Sequence, residues 1–159
     1  MPATLRRLGQ LVGFSGLLLL STCRPAPEPD WPPVIRFGYD ACDYCRMLIS
    51  EPRYAATLRT TDGQEYRFDD MGCLLHYLHE HPELTEARIW VHDYFEDRWL
   101  SADQAFFVRS NRLLTPMGYG IVALADTLAA DSLAHALGGV LTRFASLREA
   151  PPPVPMQLP

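Results

Sequence analysis

The 159-residue sequence contains no lysine, and its 14 basic residues, all of them arginine, are outnumbered by 19 acidic ones. This charge balance excludes the strongly basic surface that is typical of nucleic-acid-binding proteins. No Ser-His-Asp order, no pair of catalytic carboxylates and no glycine-rich phosphate loop is recognisable in it. The sequence therefore predicts a protein that is not an enzyme, binds no nucleic acid and has no small-molecule substrate.

Long apolar runs are also missing, and the apolar stretch at residues 8–20 is too short and too interrupted to span a bilayer. It follows Arg6 and Arg7 and precedes Cys23, an order that is typical of a bacterial lipoprotein signal peptide. We expect residues 1–22 to be removed and Cys23 to be lipidated, which anchors the mature chain to a membrane. An ordinary secretory signal with an incidental cysteine is the alternative.

Proline-rich segments lie on both sides of the part that can fold. Residues 23–33 predict a semi-rigid linker that holds the folded body away from the membrane, and residues 150–159 predict a disordered tail. The residues between them suffice for one compact domain or for two small units that share a core. Arg24, directly after the lipidated cysteine, favours the outer membrane of a two-membrane cell. We thus expect a periplasm-facing or cell-surface lipoprotein.

Cysteine is scarce as well, because only Cys42, Cys45 and Cys73 remain once Cys23 is assigned to the lipid. An odd number of thiols in an exported protein indicates a free thiol or a metal ligand. The Cys-x-x-Cys pair of Cys42 and Cys45 has three interpretations: a thiol–disulfide redox pair, half of a zinc site, or one side of a copper site.

The three interpretations differ in the neighbours that they require. A redox pair is expected at the start of a helix, whereas the residues that follow up to Pro52 argue against a long helix. A structural zinc site needs a second pair of ligands, which Cys73 could form with His76 or His79.

Met47 favours the copper interpretation, because thiolate and thioether are soft donors that select Cu(I) over hard cations. In an extended backbone, Cys45 and Met47 would project to the same face. Met117, in the irregular loop at residues 115–120, is a candidate third soft ligand. Cys42 is a candidate auxiliary thiol, and His92, within a predicted strand, is a further candidate ligand.

The first half of the folded part predicts two strands, a helix and a third strand. The Asp62-Gly63 pair between residues 54–60 and 64–68 is the preferred chemistry of a tight hairpin. Asp69 or Asp70 can cap the helix that follows. A strand is then expected over residues 89–95.

The second half repeats this order more faintly. Strands are expected at residues 105–108 and 120–124, followed by a helix capped by Asp126 and a closing strand at 140–147. We therefore predict an α+β fold of two tandem ββαβ units, at residues 34–97 and 98–149.

Several motifs, in this order and spacing, resemble the NosL family of accessory lipoproteins for nitrous oxide reductase assembly. The resemblance covers about residues 37–147 and is carried by the lipoprotein start together with Cys42-Asp-Tyr-Cys-Arg-Met-Leu-Ile49, Phe68-Asp-Asp-Met-Gly-Cys-Leu74, Trp90-Val-His-Asp-Tyr94, Trp99-Leu-Ser-Ala-Asp-Gln-Ala105 and Pro116-Met-Gly-Tyr-Gly120.

This resemblance implies a periplasmic Cu(I) chaperone that delivers copper for the copper–sulfide centre of the reductase, together with a membrane ABC-type transporter complex. It also implies two ββαβ units related to the organomercurial lyase fold, and it places copper ligands at Cys45, Met47 and Met117. The chain departs from the family at Arg46, where the family usually has glycine.

The sequence as a whole predicts a lipid-anchored Cu(I) carrier without catalytic turnover. Its expected partners are the membrane and a copper-enzyme client or the ABC-type maturation complex of that client. The alternatives are a thiol–disulfide oxidoreductase that uses Cys42 and Cys45, and an adaptor lipoprotein stapled by zinc.

Overall fold

A computed structural model describes residues 30–155 of the chain. The predicted signal peptide, the lipidation site Cys23 and most of the predicted linker therefore lie outside the described residues. Among residues 30–155, no helix combines the length and the apolar character that crossing a bilayer requires.

The first half contains β1 (Ala56–Arg59), β2 (Glu65–Phe68), α1 (Met71–Glu80), β3 (Arg88–His92) and β4 (Trp99–Ser101). The strands form one antiparallel sheet in the order β2-β1-β3-β4. The predicted Asp62-Gly63 turn joins β1 to β2, and Gly63 has the positive φ of 87° that glycine tolerates. Because β4 pairs with β3, the first sheet continues past residue 97, where the sequence places the boundary between the units.

The second half contains β5 (Phe106–Arg109), β6 (Ile121–Leu124), α2 (Thr127–Ala136), β7 (Val140–Thr142) and α3 (Phe144–Glu149). Its antiparallel sheet has the order β6-β5-β7. In both halves the first strand lies between its hairpin partner and the strand that follows the helix. The predicted α+β fold is confirmed, and the shared strand order supports two tandem ββαβ units.

The prediction of a single strand over residues 140–147 is wrong in its second part. The strand ends at Thr142, and Phe144–Glu149 form the helix α3 instead. Phe144 and Leu147, three residues apart, are buried, whereas Ala145 and Ser146 between them are exposed. This spacing matches one helical turn and not the alternation of a strand.

Two other predicted strands are shorter than expected, for local reasons. Residues 54–60 begin their strand only at Ala56, because Pro52–Tyr54 form a short 3-10 helix. Residues 89–95 end theirs at His92, where the Asp93 carboxylate accepts hydrogen bonds from the backbone N–H groups of Phe95 and Glu96. That side chain turns the chain away from the sheet.

The second sheet is buried on both faces. Phe107 and Ile121 face a core that they share with α1, α3 and the first sheet. Their strand neighbours Val108 and Val122 point to the opposite face and pack with α2. This alternation follows from the two-residue period of a strand, and it joins the two halves through one core.

The proline-rich flanks touch the folded body within the described residues. Arg59 donates a hydrogen bond of 2.8 Å to the backbone oxygen of Trp31, and Pro33 is buried. At the other end Pro152 is buried, and Pro155 lies next to Gly118. The first residues of the predicted tail are thus packed on the domain.

Candidate metal centre

The loop at residues 42–47 is closed on itself. The backbone N–H of Cys42 donates to the oxygen of Met47 at 2.8 Å, and that of Arg46 donates to the oxygen of Cys42 at 3.0 Å. Arg46 has a positive φ of 68°, and among the described residues every other positive φ belongs to a glycine. The expectation that an extended backbone projects Cys45 and Met47 to one face is therefore wrong, because the chain turns between them.

Asp43 fixes this loop to the edge of the first sheet. Its carboxylate accepts a hydrogen bond of 2.7 Å from the backbone N–H of Arg67, and its own N–H donates to the oxygen of Arg67 at 2.8 Å. The loop is thereby attached to β2 on one side and is free to present its thiols to α1 on the other.

The start of α1 supplies the other half of the site. Asp70 caps the helix, and its carboxylate accepts a hydrogen bond of 2.8 Å from the N–H of Gly72. Cys73 lies in the first turn and points inward, fully buried. The preceding Asp69 is not the cap, since its carboxylate instead accepts a hydrogen bond of 3.4 Å from the Cys45 thiol.

These two segments bring together a cluster of three thiols and a carboxylate. The Sγ atoms of Cys42, Cys45 and Cys73 and a carboxylate oxygen of Asp69 all lie within 4.8 Å of one another. All three cysteines are free thiols. Cys42 and Cys73 are 0% exposed, whereas Cys45 is half-buried and is the member of the thiol cluster that the surface can reach.

Hydrogen bonding and burial shift the pKa values of the three thiols in this cluster in different directions. A hydrogen bond from Cys73 lowers the pKa of Cys42, and backbone N–H groups of Cys45 and Asp69 add to this effect. The same hydrogen bond and burial raise the pKa of Cys73, and burial raises that of Cys45. Cys42 is therefore the thiol of the cluster that ionises most readily, and a metal would have to displace the proton of Cys45 or Cys73 in order to bind there.

The loop that carries Met117 is attached to the same helix end. The second oxygen of Asp70 accepts a hydrogen bond of 2.6 Å from the Thr115 hydroxyl and one of 3.0 Å from the backbone N–H of Met117. Met117 is half-buried and packs against the core that contains Cys42 and Cys73.

The remaining predicted residues lie differently. Met47 is 58% exposed at the end of its loop. His92 is buried, but it is not a member of the thiol cluster, and its two ring nitrogens lie 3.0 Å from the backbone oxygen of Asp93 and 3.1 Å from the Asp97 carboxylate.

The histidines that the zinc alternative requires are not in the thiol cluster either. The ring of His76 stacks on that of Tyr44, with centroids 5.8 Å apart, and lies 5.3 Å from that of Tyr119. His79 is exposed on α1. The group of potential metal ligands that includes Cys73 is completed by Asp69 and the two cysteines of the loop instead.

Sequence reasoning missed Asp69 as a member of the site and left the role of Cys73 open. Two signals bear on them. The odd count of cysteines left Cys73 without a partner, and the Asp69-Asp70 pair supplies two carboxylates where one suffices to cap a helix.

The chain was compared with known proteins. The sequence profile of the NosL family matches residues 37–151. The crystal structure of the copper chaperone NosL from Shewanella denitrificans has a similar fold, with a TM-score of 0.66 and 24% sequence identity, and the similarity covers 77% of this chain and 99% of that chain. No curated protein matches the sequence. Because the family profile covers most of the chain, the chain belongs to the NosL family.

Proposed function

We propose that this protein is a lipid-anchored, periplasm-facing carrier of Cu(I), with the copper–sulfide centre of nitrous oxide reductase as the destination of its cargo. The observation that carries the proposal is the thiol cluster, in which three free thiols and a carboxylate converge within 4.8 Å. Membership of the NosL family and the fold shared with a copper chaperone support it.

The donor chemistry favours copper over hard cations, because thiolates and thioethers are soft and polarisable. In the proposed site the thiolate of Cys45 holds Cu(I) together with the thioethers of Met47 and Met117, and Cys42 serves as an auxiliary thiol. Cys73 and Asp69 line the buried side of the site. Cys45 loses its proton when the ion binds, because the thiolate and not the thiol is the metal ligand.

The partial exposure of Cys45 suits a carrier and not a permanent site. A client can approach the thiol cluster from the side of Cys45 and Met47, and its ligands can replace these donors one at a time. The ion never leaves a ligand shell during such an exchange, so no turnover chemistry is needed. The proposed recipient is a copper enzyme or its ABC-type maturation complex.

The location is argued from residues outside the described part of the chain. Residues 1–22 have the pattern of a lipoprotein signal peptide, and lipidated Cys23 would anchor the mature protein. The proline-rich residues 24–29 would then separate the thiol cluster from the membrane surface. Arg24 after the lipidated cysteine favours the outer membrane.

The test is an anaerobic titration of the reduced chain from residue 24 with Cu(I), against a competing chelator. We expect tight one-to-one binding that Cys45→Ser abolishes, that Met47→Leu and Met117→Leu weaken, and that Cys42→Ser weakens less than Cys45→Ser. Equal loss in the two cysteine variants would instead indicate a site of two thiolates. Absence of tight binding by the wild-type chain would contradict the proposal.

The same preparation separates the two alternatives. A structural zinc site would lose its folded structure when zinc is removed. A thiol–disulfide oxidoreductase would reduce insulin. Its Cys-x-x-Cys motif would also be expected at a helix N-terminus, whereas here residues 43–45 form a turn and only the short 3-10 helix Pro52–Tyr54 follows.

A further inference from the structure

We infer that Asp70 and Thr115 form a latch that positions Met117 at the thiol cluster, so that Asp70 acts as a positioning residue for copper and not only as a helix cap. This inference rests on the proposed function, because it concerns how a ligand of the proposed site is held. It assigns a role to two residues that do not touch the cargo themselves.

The hydrogen bonds of Asp70 exceed what a helix cap requires. One carboxylate oxygen accepts from the N–H of Gly72 at 2.8 Å and completes the cap. The other accepts from the Thr115 hydroxyl at 2.6 Å and from the Met117 N–H at 3.0 Å. Asp70 is 0% exposed, and hydrogen bonds from uncharged donors to a buried carboxylate are among the stronger ones in proteins.

The hydroxyl of Thr115 also organises its own loop. It accepts a hydrogen bond of 3.2 Å from the N–H of Gly120, while its backbone oxygen accepts one of 2.9 Å from the N–H of Gly118. Both glycines have positive φ and define the turn that follows Met117. One hydroxyl therefore connects the start of the loop, its end and the cap of α1.

The neighbouring Asp69 attaches the other loop of the proposed site to the same end of α1. It accepts a hydrogen bond from Cys45 in the first loop, while Asp70 accepts from the loop of Met117. Two consecutive carboxylates at the start of α1 thus attach both loops that carry the proposed soft ligands. A loop held in its binding conformation loses less conformational entropy when the ligand binds, which raises affinity.

Thr115→Val tests the latch, because it removes the hydroxyl at nearly constant shape, and Thr115→Ser is the matched control that keeps it. We expect Thr115→Val to weaken Cu(I) binding about ten-fold, as for the loss of a hydrogen bond to a charged group, and Thr115→Ser to bind almost as the wild type does. Affinity is measured anaerobically on the reduced chain from residue 24.

A double-mutant cycle with Met117→Leu separates positioning from general stability. If the latch acts through Met117, Thr115→Val causes no further loss of affinity once Met117 is leucine. A ¹³C-methyl label on methionine provides the second readout: the Met117 methyl signal shifts on addition of Cu(I) to the wild type, and Thr115→Val reduces that shift.

Each outcome assigns the failure to one idea. Independent, multiplying losses in Thr115→Val and Met117→Leu would overturn the latch while leaving the Cu(I) carrier intact, and so would unchanged affinity in Thr115→Val. Failure of the wild-type chain to bind Cu(I) would overturn the proposed function itself and the latch with it.

Discussion

Arg46 shows how a single backbone angle shapes the proposed site. Its φ of 68° lies in the left-handed region, which glycine adopts without cost and other residues rarely enter. Its guanidinium lies 3.8 Å from Asp43 and is mostly exposed, so it forms a surface ion pair. The residue therefore acts on the loop at residues 42–47 through its conformation.

Replacement of Arg46 measures the strain that this conformation costs. We expect Arg46→Gly to be about 1 kcal/mol more stable than Arg46→Ala, because both lose the exposed ion pair and only alanine keeps the left-handed strain. The measurement is urea unfolding of the reduced, metal-free protein. Equal stability of the two variants would show that the loop relaxes without cost.

At the scale of the element, the approach of α1 to the loop of Met117 depends on one glycine. A Cβ at Gly72 would lie 1.9 Å from the ring of Tyr119, so that ring occupies the space a side chain would need. Gly72 is buried in the first turn of α1, between the cap Asp70 and Cys73. The aromatic ring thus packs directly on the helix turn that carries the third thiol.

The stability of Gly72→Ala shows whether the contact with Tyr119 outweighs the higher helix propensity of alanine. Propensity alone would make alanine more stable by about 0.5–1 kcal/mol. We expect instead a net loss of about 1–2 kcal/mol, because the ring of Tyr119 must move, as in other overpacked cores. Urea unfolding of Gly72→Ala, Tyr119→Ala and the double variant checks this: after Tyr119 is truncated, Gly72→Ala should cost nothing. A loss that persists in the double variant would have another cause.

Elements whose signals are local could be predicted from the sequence. The Asp62-Gly63 turn, a cap at Asp69 or Asp70 and the cap Asp126 each depend on residues within three positions, and the structure has the turn and the caps Asp70 and Asp126. The helix α3 was not predicted, because the apolar residues Phe144 and Leu147 follow directly on those of β7 and a short apolar run does not distinguish strand from helix.

The site was predictable only in part, for a related reason. Cys42 and Cys45 were identified because they are neighbours in sequence. Cys73 and Asp69 join them only because α1 packs against the loop at residues 42–47, a tertiary contact that no local pattern encodes. The turn at Arg46 could not be predicted from residue propensities either, since arginine is not expected at positive φ.

At the scale of the whole molecule, the two halves share one core. Phe107, Ile121 and Phe144 from the second half are buried in the same cluster as Leu58 and Leu74 from the first. The proposed ligands are divided in the same way, since the thiols belong to the first half and Met117 to the second. Folding and metal binding should therefore both couple the halves.

We expect the metal-free protein to unfold in a single transition, with equal calorimetric and van't Hoff enthalpies, because neither half can bury its core alone. All three tryptophans precede residue 100, so their fluorescence reports on the first half, and hydrogen exchange in α2 reports on the second. Free Cu(I) at a thousand times its dissociation constant should raise the free energy of unfolding by about 4 kcal/mol, and both probes should report this increase. Cys45→Ser, which lacks the half-buried thiol, should show no such gain. A shift of tryptophan fluorescence alone would contradict the single transition and show that the two halves unfold separately.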